Sequence, residues 1–286
     1  MKVYFVGLSK NCFSTLKNNI ENLEKFDELY EGICEIIVID SDSNDGTKDY
    51  LNNYQKLNNN FFLVEKDMLD NQFSNRIEKL SYCRNVGLRM IDRAEDAIYI
   101  PMDMDIDLFT HFNIFKFHKL VISFIEDEST EGIFPFSIPY YYDIFALRKK
   151  GWVEKNAVFE AHKLKQKYKF GSFFFNYFFV FNKQKKQNFF NQATIRVESA
   201  FGGIGMYKLK KGNDYEYSTH ESFPNYYSEH IYFNQNFKKL FINKDWTIDA
   251  PLEHIRYKNF NIFQKIIYIM KTIKYDLLTI NKKGAS

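Results

Sequence analysis

The chain has 286 residues, 45% hydrophobic and 26% charged, with a formal net charge of +3 at pH 7. That length and balance suit a globular protein with a full core, not a fibrous or disordered chain. So small a net charge supplies no broad electropositive field for nucleic acid, and none is expected as a partner. Cys12, Cys34 and Cys83 lie far apart and match neither a zinc spacing nor a disulfide framework, which fits a reducing, cytoplasmic setting. The abundance of Phe, Tyr, Asn, Lys and Ile reads as the bias of an AT-rich coding sequence rather than as a functional signal.

In chain order, "KVYFVGL" reads as a buried strand, and "FSTLKNNIENLEKFDELY" follows with Leu16, Ile20, Leu23 and Phe26 on one helical face. "CEIIVID" is a second strand, bounded by the turn-rich "SDSNDGT". "TKDYLNNYQKL" is helical, "FFLVEK" a third strand, "NRIEKLSYCRNVGLRMIDRA" a long helix and "DAIYIPMD" a fourth strand. Strands alternating with helices argue for an α/β fold, a mostly parallel central sheet flanked by helices on both faces. Further on, "IFKFHKLVISFIED" predicts a helix, "GIFPFSI" a strand and "IRVESAFGG" another, while residues 150–192 are rich in Lys and Phe and carry no clear period.

The opening "MKVYFVGLSKNC" has too short an apolar core for a secretory signal, and no run reaches the roughly 18 uncharged apolar residues of a membrane span. A soluble chain is expected, with peripheral contact at a membrane surface as the alternative. The tail "IFQKIIYIMKTIKYDLLTI" places Ile266, Met270, Ile273 and Leu277 on one stripe with lysines between. Docking of that stripe on the chain's own domain is the expectation; an anionic membrane surface is the other use for such a helix.

Ligands of open parallel sheets sit outside the carboxyl ends of the strands, and acidic residues gather there. Asp40 closes the second strand, with Asp42 and Asp45 in the turn beyond. Asp103 and Asp105 close the fourth, with Asp107 two residues further. Alternate residues of an extended chain point to one side, so these carboxylates would repel one another. A hard divalent cation with oxygen ligands would offset that repulsion.

With these features in view, the sequence resembles the GT-A nucleotide-sugar glycosyltransferases. "VIDSDSNDGT" resembles that fold's second-strand turn, "YIPMDMDI" its D-x-D strand, "AFGG" its glycine loop and "SEHIYFN" its acidic acceptor-side motif. More narrowly, "RNVGL", "YYDIFALRKKGW", "VESAFGGIGMYK" and "SEHIYFN" together resemble the cryptococcal capsule-associated mannosyltransferase family and its bacterial and viral relatives. The resemblance implies a GT-A domain over 1–255, with a nucleotide-sugar-binding half at 1–110 and an acceptor half at 111–255, then a basic amphipathic helix at 256–286. It implies transfer of a sugar from a UDP- or GDP-linked donor to a hydroxyl of a glycan or lipid-linked acceptor, with Mn2+ or Mg2+ as cofactor, in surface polysaccharide or glycoconjugate synthesis.

Carried onto this sequence, Asp40 and Asp42 would meet the donor base or ribose, although a helix cap is the plain alternative for Asp40. Asp45 reads as the cap of "TKDYL". Arg84 and Asn85 would reach the donor phosphates or sugar; Arg76 either does likewise or forms a surface salt bridge. Asp105 would bind the cation directly and Asp103 through water or from the ribose, with His254 completing the coordination or serving only structure. Gly202 and Gly203 would let the backbone approach a sugar, or simply make a tight turn. Glu229 would orient or deprotonate the acceptor hydroxyl. Tyr142, Asp143 and Arg148 would line the acceptor site, the alternative being core aromatics beside an incidental Asp143–Arg148 ion pair.

His230 stands where many inverting members carry an aspartate base, and the stereochemistry stays open. The competing reading is a non-catalytic GT-A-like module that binds a glycan or a partner. A nucleotidyltransferase is disfavoured, because no glycine-rich basic triphosphate loop follows the first strand.

Overall fold

Strand β1 (Lys2–Ser9) is buried along most of its length because its alternate residues serve two cores: Val3 and Phe5 face one, Tyr4 and Val6 the other. That double burial is what a strand in the middle of a helix-covered sheet requires. The computed structural model describes residues 1–168, 171–189 and 191–283.

Helix α1 (Phe13–Leu29) turns Leu16, Ile20, Leu23 and Phe26 onto one face of the sheet. Strand β2 (Cys34–Ser41), helix α2 (Thr47–Gln55) and strand β3 (Phe61–Lys66) complete the next unit. A single turn, α3 (Leu69–Gln72), precedes α4 (Arg76–Arg89), whose start is capped by the Asn75 side chain accepting from the Ile77 amide. Strand β4 (Ala97–Asp103) follows. β2 and β4 flank β1 in parallel register, and β3 adds parallel to β2.

Helix α5 (Ile114–Glu126) covers the same face as α1, and β5 (Gly132–Ile138) leads into the less regular middle of the chain. Residues 150–192, which carry no legible period, form helices α6 (Ala157–Tyr168) and α7 (Ser172–Phe179) and two short 3-10 turns. Strands β6 (Thr194–Val197) and β7 (Met206–Leu209), helix α8 (Glu229–Asn234), strand β8 (Leu240–Asp249) and helices α9 (Leu252–Asn259) and α10 (Ile262–Lys283) end the chain.

The eight strands form one sheet in the order β3-β2-β1-β4-β7-β5-β8-β6. Only β7 and β6 run against the others, since β7 is antiparallel to both β4 and β5 and β6 is antiparallel to β8. The α/β class with a mostly parallel, helix-flanked sheet is therefore the architecture observed. Strand β7 stitches the first half to the second, so the sheet continues past residue 110 without a break.

Helix α4 lies unusually close to the sheet. A Cβ on Gly87 would come within 2.4 Å of Val6 Cγ1 and 2.8 Å of Ile39 Cδ1, closer than side chains approach one another. The glycine thus sets the depth of α4, and Arg84 lies about one turn earlier on the same helix. No helix among the described residues is long and apolar enough to cross a membrane.

Candidate functional site

A cleft of about 960 Å³ opens where β1 and β4 end, walled on the far side by segments from α4, α8, α9 and the turn after β6. It brings together residues far apart in sequence, among them Arg84, Asp103, Asp105, Gly203, Glu229 and His254.

Asp103 is the last residue of β4. Its amide donates to the Gly203 carbonyl at 2.8 Å, and its carboxylate accepts from Arg84 Nη2 at 2.7 Å. Arg84 Nε donates to Glu229 at 3.0 Å. The guanidinium is buried, 2% exposed, and lies 4.7 Å over the Phe201 ring. Burial alone would lower its pKa, but Asp103 and Glu229 outweigh that and hold it well above the ordinary arginine value. One cation therefore binds two carboxylates from distant segments. Arg84 reaches the expected edge of the sheet, but its partners are these acids.

The extended geometry expected beyond Asp103 does not continue. The chain turns at Met104, which is fully buried, and Asp105 lies in that turn facing the cleft. Asp107 points elsewhere, accepting from Asn18 Nδ2 at 3.0 Å. Asp105 is itself exposed at the cleft wall, yet partial loss of solvent there, and then the Asp103 charge, raise its pKa; Glu253 adds to the effect and Arg76 opposes it. Asp105 thus sits in negative surroundings that Arg84, committed to Asp103 and Glu229, does not neutralise. Oxygen donors of this kind are what a hard divalent cation takes.

His254 reaches the cleft but is half exposed, with its ring stacked on Tyr142 at 5.3 Å between centroids. Among the described residues no three His, Cys, Asp or Glu side chains are grouped closely enough to form a metal site. The expected set of Asp103, Asp105 and His254 is therefore not drawn together as coordinating ligands.

The glycine loop forms the turn between β6 and β7. Gly202 and Gly203 have φ of 82° and 89°, a region that side-chain-bearing residues rarely adopt. A Cβ on Gly203 would sit 2.7 Å from Ile106 Cδ1 and 3.2 Å from the Tyr142 hydroxyl. Asp143 braces the loop, accepting from the Gly202 amide at 2.9 Å and the Ala146 amide at 3.1 Å, and burial raises its pKa. Asn234 on α8 donates to Ser199 Oγ and to the Ala200 carbonyl, both at 2.9 Å, which ties the helix bearing Glu229 to the same loop.

Four residues expected at the site, Asp40, Asp42, Asn85 and Arg148, do not line this cleft. Asp40 lies beneath the cleft, fully buried, with its oxygens accepting from Ser9 Oγ and from the Ser43 hydroxyl and amide. Asp42, at φ 61°, accepts from the Met68 and Asp70 amides and so holds the approach to α3 instead of facing a ligand. Asn85 gives both ends of its amide to the Tyr217 main chain, at 2.8 and 2.7 Å, and is turned away from the cleft lining. Arg148 donates to the carbonyls of Phe145 and Leu147, while Asp143 accepts from the Ala146 and Gly202 amides. In the turn after β2, Asp45 accepts from the Thr47 amide, and also from the Phe13 amide.

Glu253 escaped the sequence reading, and His230, noted there only for its position, has a distinct setting. Glu253 stands close enough to Asp105 to add to its pKa shift, and its place beside His254 in "PLEH" was the available signal. His230 is buried and stacked on Phe201 at 3.6 Å, with both ring nitrogens lacking a hydrogen-bond partner. Burial, and secondarily Arg84, push its pKa well below the ordinary histidine value, so the ring is neutral at pH 7.

Residues 8–91 match the family model for glycosyl transferase family 2, a segment running from the end of β1 to just past α4. No curated protein matches the chain. Among solved structures, the chain is similar to Staphylococcus aureus TarS 1–349 in complex with UDP-GlcNAc, at 17% identity over 48% of this chain and 35% of that one, TM-score 0.34. It is similar to the mannosyltransferase PcManGT from Pyrobaculum calidifontis in complex with GDP-Man and Mn2+, at 17% identity over 48% and 36%, TM-score 0.36. Mannosyl-3-phosphoglycerate synthase from Rubrobacter xylanophilus is a third, at 14% identity over 58% and 47%, TM-score 0.36. The chain thus spans between about a third and a half of the length of these structures, and the family match covers the end of β1, β2, β3 and helices α1 to α4.

Proposed function

We propose that this protein is a glycosyltransferase that moves a sugar from a UDP- or GDP-linked donor to a hydroxyl of a glycan or lipid-linked acceptor, with Mn2+ or Mg2+ as cofactor. One observation carries the reading: Asp103, Asp105, Gly203 and Glu229, from three distant segments, converge on a single cleft at the carboxyl ends of parallel strands. The match of residues 8–91 to a glycosyl transferase family supports it independently. The narrower assignment to a capsule-associated mannosyltransferase rests on the ordered sequence motifs alone.

In such a transfer, the bond from the sugar's anomeric carbon to the diphosphate breaks and one to the acceptor oxygen forms. The bonding pair leaves with the diphosphate, and the acceptor hydroxyl loses its proton. A divalent cation, when bound, neutralises the leaving diphosphate, an effect worth several kcal/mol. Asp105 and Asp103 are the residues that would hold it, with His254 and Glu253 at the same wall. Arg84 fixes Asp103 in place. Gly203, whose backbone lines the cleft, is the part of the glycine loop assigned to the donor sugar. Tyr142 and Asp143 stand on the acceptor side, Tyr142 offering a ring face for a sugar to pack on.

Glu229 is assigned to the acceptor hydroxyl through Oε2, whose bond from Ser228 Oγ is long at 3.4 Å, while Oε1 is held by Arg84. The same pairing favours a second reading, a glycan-binding module without turnover, because Arg84 already occupies Oε1 of Glu229 and His230 is neutral but buried. Thermal unfolding with UDP and GDP, each with and without Mn2+, tests the site. A ligand at about a hundred times its dissociation constant stabilises by roughly 2.7 kcal/mol. A shift with one nucleotide that requires the cation supports the donor site; no shift with either nucleotide overturns it.

A further inference from the structure

Helix α10 docks with the face opposite to the one its apolar stripe suggests. Tyr268, Thr272 and Asp276 turn toward the protein, and the buried Asp276 carboxylate accepts from the amides of Gly171 and Ser172 at the start of α7. Phe263, Ile266, Ile267, Met270 and Leu277 face outward, each between 47% and 73% exposed. Helix α7, packed against α10, exposes Phe174 and Phe178 by 52% and 58%. Eleven of the 21 large exposed apolar side chains among the described residues lie on α6, α7 and α10. Single exposed apolar residues are ordinary, but concentration of this kind marks a surface that is covered in use.

Charge identifies the cover. Residues 155–192 hold eight lysines and one acid, and residues 254–283 hold seven Lys or Arg and one acid, the buried Asp276. These segments thus carry 15 of the chain's 39 basic residues and 2 of its 36 acidic ones. The rest of the chain keeps 24 basic against 34 acidic residues. A near-neutral total therefore conceals a basic, aromatic-rich end on an otherwise acidic protein. A second copy of the chain would bring two such basic ends together and is disfavoured by repulsion.

We infer that α7 and α10 dock on an anionic phospholipid surface, the outward apolar stripe entering the headgroup–acyl boundary and the lysines meeting the headgroups. Lys271 and Lys274 lie within and beside the stripe, where a helix resting in the plane of the interface needs them. Val180 and Gln184, just after α7, and His254 on α9 also line the cleft. Docking would hold that wall of the cleft next to the membrane, within reach of an acceptor anchored there. The inference stands whether or not the catalytic reading does.

Sedimentation of the full chain with vesicles of phosphatidylcholine alone, or of phosphatidylcholine with phosphatidylglycerol, tests it. Binding is expected only to the anionic vesicles and should weaken in 1 M salt, where the screening length falls to about 3 Å. Each lysine near such a surface adds about fivefold to binding, so Lys271→Glu with Lys274→Glu should lower it by more than about tenfold. Ile266→Glu with Met270→Glu should lower it similarly while the circular dichroism and unfolding midpoint stay unchanged. Equal binding to neutral vesicles, no binding to anionic ones at low salt, or a dimer in sedimentation velocity that the Ile266/Met270 variant dissociates would overturn it.

Discussion

Arg84 and Asp103 are joined across 2.7 Å at the mouth of the cleft, with the guanidinium buried and the carboxylate partly open to solvent. The pair decides what else the site can hold. By committing Arg84 to Asp103 and Glu229, the fold leaves Asp105 with only the weaker, opposing charge of Arg76. Replacing Arg84 with Met should cost about 3–5 kcal/mol of stability, because it strands two carboxylates in a poorly solvated wall. Urea unfolding measures this, and a loss under 1 kcal/mol would mean that water already supports both acids.

Asp105→Asn should move stability in opposite directions with and without cation. The raised pKa means that the folded wild-type chain holds this proton more tightly than the unfolded chain does. Without cation, the contribution of Asp105 to stability is therefore fullest below the ordinary carboxylate range. It declines as pH rises from the ordinary value through the raised one. The amide removes that penalty, so at pH 7 in EDTA the variant should melt above the wild type, with the difference vanishing in acid. With Mn2+ and nucleotide the order should reverse. A variant that melts lower in EDTA at pH 7 would show that Asp105 is stabilising by itself.

Gly203→Ala and Gly202→Ala share a left-handed backbone but differ in space. At Gly203 the added carbon meets Ile106 at 2.7 Å, whereas at Gly202 the nearest neighbour, Pro135, is 3.7 Å away. Crowding adds about 1–3 kcal/mol to the backbone strain that both variants carry. Gly203→Ala should therefore unfold at lower denaturant, and equal losses would mean that Ile106 moves aside freely.

Asn85→Ala separates a structural residue from a ligand-binding one. Leaving the buried Tyr217 amide and carbonyl unpaired should cost about 1–3 kcal/mol for each unsatisfied group. Nucleotide affinity of the folded fraction should be unchanged within about twofold, since Asn85 does not line the cleft. A tenfold weaker titration would restore it to the donor site.

The first four strands were legible because each is an apolar run long enough to be buried on both faces, as in "KVYFVGL" and "AIYIPMD", with helical periodicity between them. Strand β8 was not, because "LFINKDWTID" breaks its pattern where the pairing with β5 shifts register near Pro135 and Phe136. Helices α6 and α7 stayed hidden because their burial comes from packing on one another and on α10, which no local period announces. In the site, acids at strand ends could be read from position. What they touch could not: the Arg84–Glu229 pair spans 145 residues, and Asp42 and Asn85 are satisfied by main-chain groups that pattern does not reveal. The stripe on α10 was visible, but its direction depended on Asp276 capping a helix about a hundred residues away.

The most direct test of the transferase account is release of nucleoside diphosphate from UDP- and GDP-sugars, measured with Mn2+ and with EDTA for wild type and Asp105→Asn. Several kcal/mol of lost charge stabilisation corresponds to roughly a hundredfold or more in rate. The account predicts cation-dependent release from one nucleotide class, with the variant slower by at least that factor and still folded. Wild-type release no faster than the enzyme-free control with every donor, or release by Asp105→Asn at the wild-type rate, would contradict it.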